Sequence, residues 1–331
     1  MKSTKSLSKV WTLSLIGLLI FSHLASATAA PKAKTKTTQN TEEKYHLMLQ
    51  NAFNEQFKAN SFKVEAPKTY YSENLIQSEF ASWGINNSDL SATVNLKAAW
   101  EKFEKKKDVV VAVIDTGIDN THPFLKDNIY VPTGSVSALN FGYDFSKKKM
   151  TNTPSDEHGH GTHVSGIIKS IFPEVKILAL KYFNPEASGQ DNLNATIKAL
   201  EYAVNLKVDI INYSGGGPEA SEEELKILKK AEDLGILVVA ASGNEESDID
   251  KKKNAYFPAS YGLSNILTVT AHNQSLKALE SSNWGIKSVD ISAPGFRIKS
   301  SIPQGKAGYM SGTSQATAFV WGRCPIKIRV P

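Results

Sequence analysis

Apolar runs and amphipathic stretches alternate along the middle of this 331-residue chain. Six short, largely β-branched runs are typical of buried strands; they span 109–115, 177–182, 208–213, 236–241, 266–270 and 289–292. Between them, 192–206 has apolar residues at helical spacing. Ser221 with Glu224 predicts a capping box that opens a second helix, which ends at Gly235. This order predicts an α/β fold, a doubly wound and mostly parallel sheet with helices on both faces.

Polar side chains follow three of these predicted strands. Asp115, Ser214 and Asn244 each come directly after an apolar run. Ligands of parallel sheets bind at the carboxyl ends of the strands, because those ends meet at one edge. The three residues are therefore expected to line one shared cleft.

The composition is that of an ordinary globular protein, with 41% hydrophobic and 21% charged residues. The formal net charge of +5 is modest, so we expect no nucleic-acid partner and no stable membrane partner. Cys324 is the single cysteine, which excludes an intrachain disulfide. Stability is then expected to come from the core or from bound ions. We also expect a monomer.

The N-terminus has the features of an export signal. Lys2, Lys5 and Lys9 precede an apolar run at 10–24, and the small residues Ala27-Thr-Ala29 follow it. We therefore predict a signal peptide at 1–29 and an extracellular or periplasmic protein; an uncleaved membrane anchor is the alternative. Residues 30–74 are polar and predict a linker or a pro-segment, followed by the α/β domain at 75–331.

Three short segments carry candidate chemistry: Asp115-Thr-Gly-Ile-Asp119, His158-Gly-His-Gly-Thr-His163 and Gly312-Thr-Ser-Gln-Ala316. Amide hydrolysis needs a nucleophile, a base that takes its proton and a carboxylate that orients the base. The chain supplies these groups in the order Asp, His, Ser. The three histidines alone could bind a metal ion, but no carboxylate or cysteine lies at a supporting spacing.

Residues 76–320 resemble the subtilases, the subtilisin-like family of serine peptidases. VAVIDTGIDNTHP matches the family's aspartate motif, HGTHVSG its histidine motif and, less closely, GTSQATA its serine motif. The resemblance implies a serine endopeptidase that acts on polypeptides, with Asp115, His160 and Ser314 as its catalytic triad. It also selects His160, rather than His158 or His163, as the base.

The resemblance extends to the binding groups. AASGNE resembles the segment whose asparagine donates to the oxyanion, which implies that role for Asn244; a plain turn residue is the alternative. Ser214, Gly215 and Gly216 resemble the strand end that pairs with the substrate backbone. Tyr256 stands where the family often has a small residue beside its specificity pocket, which predicts a shallow pocket.

Two departures concern calcium. No long loop follows Ile168, and Phe124 stands where relatives with a strong calcium site carry an aspartate. We therefore expect no cofactor, no metal ion in the active site and no strong calcium site; weak calcium binding is left open.

The last departure is at the end of the chain. The helix begun at Ser314 should continue as an apolar run, but residues 320–331 bring three cations and Pro325. This stretch resembles a truncated or frame-shifted end, so we expect an incomplete C-terminal part; a genuine short variant is the alternative.

Two classes of function are compatible with these observations. One is an active endopeptidase, and the other is an inactive or misfolded truncated subtilase, or a non-catalytic binding module on that fold.

Overall fold

The computed structural model describes residues 78–85, 91–94, 96, 107–132, 140–147 and 149–320. The predicted signal peptide, the predicted linker and the atypical segment beyond Val320 lie outside the described residues, so these stay predictions. Among the helices that are described, none has the length and apolar character needed to cross a membrane.

A seven-stranded sheet forms the centre of the described domain, in the order β2-β3-β1-β4-β5-β6-β7. All neighbouring strands in it are parallel. The strands are β1 (Val110–Asp115), β2 (Gly142–Asp144), β3 (Lys176–Lys181), β4 (Ile210–Tyr213), β5 (Leu237–Ala241), β6 (Ile266–His272) and β7 (Ile291–Pro294). An antiparallel hairpin of β8 (Ile298–Ile302) and β9 (Lys306–Met310) follows.

Helices cover both faces of this sheet. They are α1 (His160–Ile171), α2 (Gly189–Leu206), α3 (Glu222–Asp233) and α4 (Thr313–Val320). On β1, Val111 and Val113 join the core beneath α1 and α4, whereas Ala112 and Ile114 join the core beneath α2 and α3. The apolar run is continuous because a strand buried on both faces needs apolar side chains at every position. The predicted doubly wound fold is confirmed.

The sequence located six of the seven sheet strands with boundaries within two residues. It missed β2, the β8–β9 hairpin and the helical state of α1. β2 has three residues and exists through its pairing with β3, and the hairpin lacks a clean apolar alternation. Glycine and β-branched residues disfavour the helical state of HGTHVSG in isolation, so the burial of α1 decides its conformation.

The predicted capping box is only half present. The Ser221 hydroxyl accepts the Glu224 amide at 3.3 Å, as expected. The Glu224 carboxylate, however, is buried and accepts the hydroxyls of Tyr213 (3.0 Å) and Tyr261 (2.8 Å). The Ser221 amide donates instead to the Tyr261 hydroxyl at 2.9 Å. Two tyrosine hydroxyls that point into the domain need an acceptor, and this need takes the carboxylate away from the helix end.

The β8–β9 hairpin is fastened to α1 by polar contacts. The hydroxyls of Ser300 and Ser301 donate to the carbonyls of His163 (2.8 Å) and Thr162 (2.9 Å). Gly166 permits this approach, because a Cβ there would overlap both serine hydroxyls. The ring of His163 is fully buried in the same interface, with Nε2 3.0 Å from the Ile298 carbonyl.

The environment of His163 keeps its imidazole neutral. Burial lowers its pKa to about 4, and the nearby charge of His160 acts in the same direction. Hydrogen bonds to the carbonyls of Ile298 and Gly308 oppose this shift only in part. At neutral pH, Nε2 therefore carries the proton that the Ile298 carbonyl accepts.

This burial predicts a loss of stability in acid. An unfolded histidine binds its proton near its ordinary pKa of about 6.5. The folded chain resists protonation of His163 down to about pH 4. The unfolded state therefore binds more protons in that window, and the free energy of unfolding should fall by about 3 kcal/mol as the pH falls through it. Urea unfolding at a series of pH values measures this. His163→Gln should have a clearly flatter pH dependence; an unchanged slope would contradict this account of His163.

Candidate active site

The carboxyl edge of the sheet gathers the predicted site residues. Asp115 is the last residue of β1, Ser214 follows β4, and Asn244 lies three residues beyond β5. Two helix starts complete the group, since α1 begins at His160 and Ser314 is the second residue of α4. Side-chain contacts join these five residues into two clusters, one around His160 and one around Ser314.

His160 and Asp115 form the first cluster. Nδ1 of His160 lies 2.7 Å from Oδ1 of Asp115, and the same oxygen accepts the Thr116 amide at 2.7 Å. Asp115 is 3% exposed, whereas the His160 side chain is 22% exposed. The buried carboxylate therefore orients the ring and places the proton on Nδ1, which leaves Nε2 free to act as a base.

The same contacts determine how the imidazole titrates. Burial lowers the pKa of His160, whereas the charge and the hydrogen bond of Asp115 raise it. The charge of Asp156 adds to this effect, so the pKa lies above its ordinary value. The carboxylates thus stabilise the imidazolium that forms when His160 accepts a proton.

Ser314 and Ser214 form the centre of the second cluster. The Ser314 hydroxyl donates to the Ser214 carbonyl at 2.9 Å, and the Ser214 hydroxyl donates to the Ser314 carbonyl at 3.2 Å. The Asn212 amide donates to the Ser214 hydroxyl at 2.8 Å. This reciprocal pair ties the start of α4 to the end of β4 and holds Ser314 at the sheet edge.

Asn244 joins the second cluster through α4. Its Oδ1 accepts the amide of Thr313 at 3.0 Å and the Thr313 hydroxyl at 3.2 Å. These bonds orient the carboxamide so that Nδ2 is the end left to bind a ligand. The Ser314 amide lies in the first turn of α4, where amides have no acceptor within the helix. Two donors of this kind can stabilise an oxygen that gains negative charge.

The predicted substrate segment lies beside Ser314. Ser214, Gly215 and Gly216 follow β4 outside its ladder. At Gly215, a Cβ would overlap the Tyr182 hydroxyl, so a larger residue there would displace that tyrosine. At Gly216, a Cβ would lie 2.5 Å from the ring of Tyr256. Two tyrosines thus line the inner side of this segment.

The other two histidines of the motif have different surroundings. His158 is exposed and His163 is buried against Ile298. The three rings therefore do not converge as a metal site requires. Within the part of the chain that the structure describes, no three His, Cys, Asp or Glu residues could jointly hold a metal ion.

Sequence reasoning missed three residues that support the site. Asn212 is a fully buried amide within an otherwise apolar strand, and this break in the pattern was a usable signal. Thr313 and Asp156 gave no such signal, because their contacts join segments far apart in the chain.

Comparison with known proteins places this geometry in a family. Residues 106–322 match the model of the subtilase family. The chain is 36% identical over 232 residues to the major intracellular serine protease of Bacillus subtilis (strain 168), and the matched region covers 67% of this chain and 69% of that protein. It is 32% identical over 272 residues to subtilisin E of the same organism, and here the matched region covers 78% of this chain and 65% of that protein.

A solved structure agrees with the sequence comparison. The cold-adapted subtilisin-like serine proteinase is 29% identical, with a TM-score of 0.53 over 67% of this chain and 77% of that one. The parallel sheet, the family match and these relatives lead to one conclusion. The chain belongs to the subtilase family and is a serine-type endopeptidase.

Proposed function

We propose that Ser314, His160 and Asp115 are the nucleophile, the base and the orienting carboxylate of this peptidase. The observation that carries the proposal is the 2.7 Å contact between His160 and the buried Asp115, at the same sheet edge as Ser314. The family motifs support the same three residues. The alternative, a non-catalytic binding module, does not explain why a buried carboxylate orients a partly exposed imidazole.

The proposed reaction begins with a rotation of Ser314. Its hydroxyl leaves the Ser214 carbonyl and turns to Nε2 of His160, which takes the proton as Oγ attacks the substrate carbonyl carbon. The imidazolium then gives this proton to the leaving amine, and the peptide C–N bond breaks. Water, activated by His160 in the same way, hydrolyses the acyl-enzyme and restores Ser314.

The oxyanion of the tetrahedral intermediate is assigned to two donors. Nδ2 of Asn244 is one, because Thr313 occupies its Oδ1. The Ser314 amide is the other, as a free donor of the first turn of α4. Both groups are in place before the reaction, so little reorganisation is needed when the charge develops.

Ser214, Gly215 and Gly216 are assigned to the substrate backbone. Their amides and carbonyls lie beyond the ladder of β4, so an extended peptide can add to them as a strand. The ring of Tyr256 lies against Gly216 and Gly243 and narrows the space behind this segment. This position supports the expected shallow pocket.

Export is also proposed for this chain. The support is the basic, apolar and small-residue order of residues 1–29. Two similar proteins are named as intracellular serine proteases. The proposal of export therefore rests on the N-terminal residues and not on these relatives. The expectation of a monomer stays a prediction.

The site of the family's strong calcium ion does not fit a cation in this chain. Phe124 stacks on Phe80 with ring centroids 4.7 Å apart. The Lys169 ammonium lies 4.7 Å from the Phe124 ring centroid and donates to the Phe124 carbonyl. An aromatic ring thus replaces the carboxylate, and an ammonium group lies beside it. A second cation there would be repelled, so we propose that this site does not bind calcium.

Loss of any triad side chain should abolish nearly all peptidase activity. Ser314→Ala, His160→Ala and Asp115→Ala should each lower kcat by about 10⁴-fold or more, the size known for subtilisin's own triad. The losses should not add, because the three groups act as a unit. Casein or chromogenic peptide hydrolysis measures this, and labelling by a fluorophosphonate reports Ser314 directly.

The matched control is His158→Ala. The exposed ring of His158 lies 6.2 Å from that of His160, and its loss should lower kcat less than tenfold. Retained activity in Ser314→Ala would end the assignment.

Removal of the Asn244 amide should lower turnover more than binding. Asn244→Ala should lower kcat by about 100- to 1,000-fold, the figure known for the matching donor in subtilisin, with little change in KM. The donor acts on charge that develops only in the transition state. Asn244→Asp keeps the shape but loses the donor, so it should be as slow as Asn244→Ala. A fall confined to KM would instead assign Asn244 to ground-state substrate binding.

Chelation of calcium should leave stability unchanged. The melting temperature, followed by circular dichroism, should be the same with and without EDTA, because Phe124 and Lys169 replace the cation site. A chain with Phe124→Asp and Lys169→Ala tests the same place by the opposite change. It should be less stable than the wild type in EDTA. A large fall in the wild-type melting temperature on chelation would contradict the proposal.

A further inference from the structure

A third carboxylate, that of Asp156, lies behind the His160–Asp115 pair and is largely shielded from solvent. Asp156 is 8% exposed and accepts five hydrogen bonds. Its Oδ1 accepts the Thr116 hydroxyl (2.8 Å) and the amides of His158 (3.1 Å) and Gly159 (2.7 Å). Its Oδ2 accepts the amide (2.9 Å) and the hydroxyl (2.6 Å) of Thr162.

These bonds reach both members of the pair. Gly159 and Thr162 flank His160 in the chain, so the carboxylate holds the turn from which the imidazole projects. Thr116 follows Asp115, and its amide donates to the Asp115 carboxylate. The Thr116 hydroxyl also accepts the Gly161 amide at 2.9 Å, which closes a second link between β1 and α1.

We propose that Asp156 is the positioning residue of the site, a buried anion that holds the base-bearing turn of α1 against the strand end that carries Asp115. This inference rests on the catalytic role proposed above for His160 and Asp115. Asp156 acts through those two residues and is assigned no contact with the substrate.

The donors around Asp156 explain why the anion is stable there. Burial alone raises the pKa of Asp156, but the bonds from Thr162, Gly159 and Thr116 outweigh it and hold the pKa below its ordinary value. Three of the five donors are amides at the N-terminus of α1, where the helix dipole also favours a negative charge. The carboxylate thus replaces the side-chain cap that Gly159 cannot supply.

The charge of Asp156 also acts on the His160 imidazole. The described titratable groups that face His160 from the surrounding elements are Asp115 on β1, Asp156 and His158 in the preceding loop, and His163 on α1. Asp115 and Asp156 raise the His160 pKa, which burial lowers. A neutral residue at Asp156 should therefore make the imidazolium less stable.

Asp156→Asn keeps the shape and removes the charge. With a peptide substrate, kcat should fall by about 10- to 100-fold with KM changed less than about twofold, since small displacements of reacting groups have effects of this size. The acid limb of the kcat/KM profile should move to lower pH. Glu224→Gln neutralises another buried carboxyl, which hydrogen-bonds to Tyr213 and Tyr261 instead of to the turn around His160, so it should change stability and leave the acid limb in place. A kcat within twofold of wild type and an unmoved limb in Asp156→Asn would overturn the proposal.

A second pair of variants covers the outcome in which Asp156→Asn does not fold. Thr116→Val removes the hydroxyl and with it the bonds to Asp156 and Gly161, so it should lower kcat, and Thr116→Ser should restore kcat. Equal activity in both would overturn the proposal.

The His160 ring itself provides a readout that does not depend on catalysis. Its NMR titration in the Ser314→Ala chain should shift to lower pH when Asp156→Asn is added, and not when Glu224→Gln is added. A failure of the catalytic proposal would appear as retained activity in Ser314→Ala alone. An unmoved titration would overturn the role of Asp156 specifically.

Discussion

Burial of one parallel sheet on both faces is the constraint from which the site follows. Most buried apolar side chains of β1, β3, β4 and β5 belong to the core beneath α1 and α4 on one face or to the core beneath α2 and α3 on the other. A polar side chain within such strands is costly unless it has a partner, as Asn212 has. The carboxyl ends of parallel strands meet at one edge, and polar side chains can gather there. The candidate nucleophile, base, carboxylate and amide donor lie at that edge because few other places in the domain accept them.

The polar groups at this edge are positioned by other polar groups, most of them buried. Ser214 and Asn212 hold Ser314, Thr313 orients Asn244, and Asp156 joins the turn around His160 to the residue after Asp115. A buried polar atom without a partner is costly, so each of these contacts satisfies a group and also limits its movement. Stability and the alignment of the proposed catalytic groups therefore depend on the same hydrogen bonds.

Phe124 and Tyr256 are two positions at which this chain departs from the family resemblance. Phe124 stacks on Phe80 with the Lys169 ammonium beside its ring, and this packing is the basis of the proposal that no calcium ion binds there. At Tyr256, a large ring stands behind the glycines of the substrate segment. Both changes leave the sheet and the clusters at its edge intact, because they affect loops that the sheet supports.

The sequence by itself determined six of the seven sheet strands, the fold class and the residues proposed for chemistry. Long apolar runs report burial directly, and the order of the Asp, His and Ser motifs along β1, α1 and α4 identifies a family. Only the tertiary structure decided which atoms meet. It took Glu224 from its predicted cap to two tyrosines, made a helix of HGTHVSG, and placed Asp156 behind His160. The physical reason is the range of the forces involved. Hydrophobic periodicity is local and can be read from neighbours in the chain. The hydrogen-bond donors of a buried carboxylate, by contrast, come from segments that only folding brings together.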